Sequence, residues 1–94
     1  MPRIISAYAP PLTYGAKVVV ASHLGSVSYT ISYEPVGDAI ILGRVHYFSS
    51  PSGEKTTEGL PSGATITTAN VVANVEVDFK GAATGSSVRV MIDP

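Results

Sequence analysis

The stretch "NVVANVEVDFK", residues 70 to 80, decides how the chain is read. Val71, Ala73, Val75, Val77 and Phe79 fall on one side of an extended segment, with Asn74, Glu76, Asp78 and Lys80 on the other. Successive side chains of a strand point to opposite faces, so this alternation predicts a strand with one face in a core. A surface helix would repeat its apolar residues at three and four, and no window of the 94 residues does so among good helix formers.

Downstream, "GAATGS" predicts a turn, and "SVRVMID" (87–93) a closing strand with Val88, Val90 and Ile92 inward, the two strands forming a hairpin. Upstream, strands are predicted at "RIISAYA" (3–9), "AKVVVAS" (16–22), "VSYTISY" (27–33), "AIILGRVHYF" (39–48) and "ATITT" (64–68). "HLG" at 23–25 predicts a hairpin of the second and third strands, and "EPVGD" at 34–38 a turn. The fourth strand keeps Ile40, Leu42, Val45 and Tyr47 on one face only if Gly43 sits at a bulge. "SSPSGEKTTEGLPSG" (49–63) reads as a mobile loop, or a loop around a short edge segment.

Seven prolines and nine glycines punctuate these segments. Short strands at this spacing predict an all-β, antiparallel two-sheet sandwich of about seven strands, in the general plan of immunoglobulin and fibronectin domains. A small closed β-barrel is the alternative. The length fits a single domain over residues 1–94.

Composition narrows the function classes. The net charge is −1 and the six basic residues are scattered singly, which argues against a nucleic-acid partner. There is no cysteine, hence no disulfide and no thiolate metal site. "MPRIISAYAP" lacks the apolar core of a signal peptide, and no run approaches a membrane span. The expectation is a soluble chain whose compartment the sequence does not give.

Only 14% of residues are charged, against about 25% in ordinary domains, while 45% are hydrophobic. A small domain has a large surface, so apolar side chains must reach it. "AKVVVAS" makes the point: if Val18 and Val20 face the core, Val19 faces away. Val72, Met91 and Ile41 read the same way. Gathered on one sheet, Val19, Ile41, Val72 and Met91 would form an interface for a homo-oligomer. Few lysines or inward charges protect the edge strands, so edge-to-edge pairing is a second route.

Signals for chemistry are thin. His23 and His46 have no HxH or HExxH spacing, serine has no GxSxG setting, and "GAATGSS" lacks the lysine of a phosphate loop. No catalytic residue, metal or cofactor is expected. Tyr8 and Tyr14 flank the "APPLT" corner and are the candidate ligand-binding rings, for a sugar or a proline-rich peptide. The function expected is a non-catalytic β-sandwich acting by binding or self-assembly, as a subunit of a larger bacterial or phage structure. The alternative is a small carbohydrate- or peptide-binding module using the tyrosines and the 49–63 loop.

Overall fold

A computed structural model describes residues 3–37 and 40–94, with the side chain of Ile41 outside that description. The strands are β1 (Arg3–Ala9), β2 (Val18–His23), β3 (Ser28–Gly37), β4 (Ile40–Ser50), β5 (Gly53–Glu58), β6 (Ala64–Thr67), β7 (Ala73–Gly81) and β8 (Ser86–Asp93). They form two four-stranded sheets, in the orders β1-β8-β3-β6 and β2-β7-β4-β5. All the pairings between these strands are antiparallel. The fold is therefore the open two-sheet sandwich, not the closed barrel.

The strand order has a simple origin. β4 pairs with β5, β3 with β6, β2 with β7 and β1 with β8, which is one long hairpin with β4–β5 at its closed end. Rolling that hairpin sets β8 beside β3 and β7 beside β4. This is the order of a jelly roll. Every connection except β4–β5 crosses from one sheet to the other.

That roll corrects both predicted hairpins. β2 and β3 lie in different sheets, as do β7 and β8. Their turns are real, but they carry the chain across the sandwich. The predicted turn at 34–38 is instead largely strand, because β3 runs on to Gly37 against β8. Within 49–63, β5 pairs with β4 from Arg44↔Glu58 to Ser50↔Gly53, so the edge-segment version of that reading holds.

The core lies between the sheets. Val75, Val77 and Phe79 on β7, Val88, Val90 and Ile92 on β8, and Ile31 and Val45 are essentially inaccessible. In β4 the register shift falls between Ile40 and Leu42, not at Gly43. Gly43, Val45 and Tyr47 then share the buried parity, and Leu42, Arg44 and His46 take the outer one. Gly43 faces Phe79 across the β4–β7 pair, and a Cβ there would lie 2.9 Å from the Phe79 ring. The absent side chain is what lets the ring fill the layer, where Tyr33 meets it at 5.2 Å between centroids.

Candidate functional site

The outer face of the β2-β7-β4-β5 sheet carries a polar cluster. Alternation directs Asp78 outward from β7, and Arg44 and His46 outward from β4. The pairing sets Arg44 opposite Asp78, His46 opposite Glu76, and Thr56 of β5 opposite His46. Four side chains from three strands thus converge.

Asp78 Oδ1 accepts from Arg44 Nε at 3.1 Å, and its Oδ2 accepts from Arg44 Nη2, a bidentate ion pair. Asp78 Oδ1 also lies 2.9 Å from His46 Nε2, while His46 Nδ1 lies 2.9 Å from Thr56 Oγ1. An ionised Asp78 can only accept, so the ring donates to it through Nε2–H, and the Thr56 hydroxyl, able to donate or accept, partners Nδ1. The order is carboxylate, imidazole, hydroxyl.

Asp78 is only 1% exposed although it faces outward. Tyr14, from the β1–β2 connection, reaches the same face, because that connection runs beside β7 through the Tyr14↔Lys80 bridge and the Gly15 N–H to Phe79 carbonyl bond. The Tyr14 ring lies over the Arg44 guanidinium, 3.5 Å from centroid to Cζ, with Lys80 Nζ at 5.3 Å. Burial by itself would raise the Asp78 pKa. The hydrogen bonds and charges of Arg44 and His46 outweigh it and hold the carboxyl below its ordinary value. Burial pushes the Tyr14 hydroxyl up, and the Glu58 carboxylate adds to this against Arg44. Glu58 acts there as a nearby charge, outside hydrogen-bond geometry, since the buried Tyr14 hydroxyl has no partner among the described residues.

A hydroxyl, a base and an orienting carboxylate at these distances form the skeleton of nucleophilic catalysis. Acyl transfer would also need a substrate cleft and donors aimed at the developing oxyanion. Four surface cavities of about 170, 200, 230 and 440 Å³ are lined by other residues. The cluster also reads as a satisfied polar network with a tyrosine over its arginine.

The two histidines do not come together. His23 takes the inner parity of β2, opposite Ala73, whereas His46 takes the outer face of the same sheet. His23 Nδ1–H donates to the Gly25 carbonyl at 2.9 Å, and its buried Nε2 has no partner among the described residues. Among those residues no group of three His, Asp or Glu side chains is placed to hold a metal ion. None of them forms a helix long and apolar enough to cross a membrane.

The candidate interface residues also separate. Val19 is 43% exposed on the outer face of β2, and Met91 is 42% exposed on the outer face of β8, in the other sheet. Val72 precedes β7, outside either sheet, and the Ile41 side chain lies outside the described residues. Val19, Val72 and Met91 therefore do not make one patch. Val20, the extra residue at the β2 register shift, is buried, so Val19 is the single outward valine of its run. Tyr8 and Tyr14 separate as well: Tyr8 stands on the outer face of β1, while Tyr14 is spent on Arg44 over the other sheet.

The sequence reading missed a different grouping. Ile4 and Tyr8 on β1, Met91 on β8 and Val36 on β3 all stand exposed on the outer face of the β1-β8-β3-β6 sheet. Ile4 is opposite Met91, and Tyr8 and Val36 flank Ser87. Alternation in "RIISAYA" carries that signal, because Ile4, Ser6 and Tyr8 share a parity.

The fold defines a class, an eight-stranded jelly-roll sandwich, here with Ile4 and Met91 exposed on one side of the Ser6–Arg89–Glu34 row of one sheet and Tyr8 and Val36 on the other. Comparison of the chain with known protein families, with curated proteins and with solved structures returns no match.

Proposed function

We propose that the chain is a non-catalytic β-sandwich that works by self-association, as a subunit of a larger assembly, through its β1-β8-β3-β6 sheet. The observation that carries this reading is the grouping of Ile4, Tyr8, Val36 and Met91 on one uncovered sheet face. Covering a large apolar side chain fully is worth roughly 1.5–3 kcal/mol, against several kcal/mol of lost rotational and translational freedom. Being 42–66% exposed, each of the four gains about half of that, and four on each of two copies together offset the loss, which one or two do not. The Glu34–Arg89 pair, opposite each other on β3 and β8, gives the same face a charge of each sign, which suits contact with a second copy. Jelly rolls serve both as capsid subunits and as lectins, and that analogy alone does not choose between them. The glycan- or peptide-binding reading loses support because Tyr8 and Tyr14 share no face.

The test is absolute mass in solution, by light scattering after size exclusion. The wild type is expected to be a multimer, Ile4→Asp a folded monomer, and Val19→Asp, on the other sheet, a multimer still. A monomeric wild type overturns the reading.

A further inference from the structure

The sheet that the proposed assembly leaves open, β2-β7-β4-β5, carries an exposed hydroxyl beside a buried imidazole. Thr56 lies on β5, at the edge of that sheet, and faces solvent. Its Oγ1 stands 2.9 Å from His46 Nδ1, and His46 Nε2 stands 2.9 Å from Asp78 Oδ1. A neutral ring carries its proton on one nitrogen, and an ionised Asp78 keeps that proton on Nε2. Nδ1 then presents its lone pair to the Thr56 hydroxyl. His46 is 3% exposed and held from both sides, so the ring is fixed in this orientation.

A hydroxyl within reach of a base, with a third group orienting the base, is the arrangement of an activated nucleophile. Thr65 and Thr67 supply the contrast. Both are exposed on the other sheet, and their hydroxyls meet those of Thr30 and Ser28, which are far too weakly basic to take a proton.

We infer that Thr56 is an acyl-acceptor site, which takes one acyl group from an uncharged activated ester. Thr56 Oγ1 attacks the ester carbonyl carbon while the hydroxyl proton passes to His46 Nδ1. The bond from that carbon to the leaving oxygen breaks, and the phenol or alcohol departs with the electron pair. His46 then gives its proton to the leaving group or to water, and the product is a threonine ester. Repeated turnover would need a substrate cleft and donors aimed at the oxyanion. A single transfer from an ester with a good leaving group needs the base, so the chain accepts the group without becoming an enzyme.

The neighbours set the charge of the donor. Glu54 and Glu58 lie two residues to either side of Thr56 on the same strand face, and Glu76 stands opposite His46. The nearest positive group, Arg44, is engaged by Asp78. Three carboxylates around one hydroxyl disfavour an anionic donor such as an acyl phosphate.

The test treats the full chain with p-nitrophenyl acetate at about pH 8, where an ordinary imidazole is neutral, and locates acetyl groups by peptide mass spectrometry. Lysine amines also react, but hydroxylamine removes an ester and leaves an amide. A hydroxylamine-labile acetyl is expected on Thr56, formed about 10²–10⁴ times faster than on Thr65 or Thr67, the range a positioned general base contributes. Thr56→Ser is expected to keep the label, and Thr56→Val and His46→Gln to lose it. Because His46 is buried, wild type unfolded in urea provides the second control: the preference for Thr56 should vanish, since only the fold joins residues 46, 56 and 78. Thr56 labelling no faster than that of Thr65 and Thr67, or a preference that survives His46→Gln or urea, overturns the proposal. Equal labelling by acetyl phosphate overturns the assignment of an uncharged donor.

Discussion

Asp78 and Arg44 stand opposite each other on the central strands of one sheet, joined by two hydrogen bonds on a face that strand alternation assigns to solvent. A carboxylate there is ordinarily wet. This one is 1% exposed, and a tyrosine from the β1–β2 connection lies over its partner. Arg44 keeps 26% of its side-chain surface exposed and stays partly hydrated without its partner, so removing Asp78 costs the charge-assisted hydrogen bonds, about 1.5–3 kcal/mol. Asp78→Asn is therefore expected to lower stability by that order, with the urea midpoint falling and the slope unchanged. A loss below about 0.5 kcal/mol, the ordinary range for a surface substitution, would mean that the pair does not contribute.

The same pair sets an acid limit. The folded Asp78 pKa lies below its ordinary value, despite burial, because Arg44 and His46 favour the ionised form. A group depressed in this way contributes its stability in full above the unfolded pKa, about 3.9 for aspartate. That contribution is lost as pH falls through the folded value. Melting temperatures of wild type and Asp78→Asn, followed from neutral pH downward, are expected to hold a constant gap until about pH 4 and converge below it. A gap unchanged at the lowest pH would show that Asp78 is not the linked group.

Tyr14 separates the ring's role from the hydroxyl's. The hydroxyl is buried without a partner among the described residues, and an unmet polar group costs about 1–3 kcal/mol. The ring stacks on Arg44, an interaction of about 0.5–2 kcal/mol. Tyr14→Phe should thus be neutral or stabilising, and Tyr14→Ala destabilising, by thermal or urea unfolding. Equal losses in both variants would assign the hydroxyl a bond and refute this account.

What the sequence shows and what it hides divide along local and distant contacts. Alternation alone locates β1 over Arg3–Ala9 and gives the inward sets of β7 and β8, because a half-buried strand writes its period into adjacent residues. The sheet assignment is another matter. "HLG" and "GAATGS" are turns, but a turn's chemistry does not say whether the next strand pairs back or crosses the sandwich, and in a rolled hairpin both cross. β5 is faint for a different reason: "GEKTTE" is polar on both faces, so its period carries no contrast. The cluster was half visible. Arg44 and His46 are read two apart on one face of β4, yet their meeting with Asp78 depends on β4–β7 pairing, and the ring over Arg44 comes from Tyr14, at the far end of the chain.

The bulge reading of Gly43 yields the last prediction, because the structure gives that glycine a different reason to be there. The irregularity lies at Ile40–Leu42, and Gly43 sits in regular pairing with Phe79. A Cβ at 43 would come within 2.9 and 3.0 Å of two Phe79 ring carbons, closer than van der Waals contact allows. Gly43→Ala should therefore cost about 1–3 kcal/mol as overpacking, although alanine is otherwise no worse than glycine in a strand. Phe79→Leu alone should also destabilise, by opening space in the core. Combined, the two should cost less than their sum, since the smaller side chain clears the site the new methyl needs. A double-mutant cycle by urea denaturation measures that coupling. Strict additivity would show that Gly43 is required for its backbone, as a bulge would require it, and not for the ring it faces.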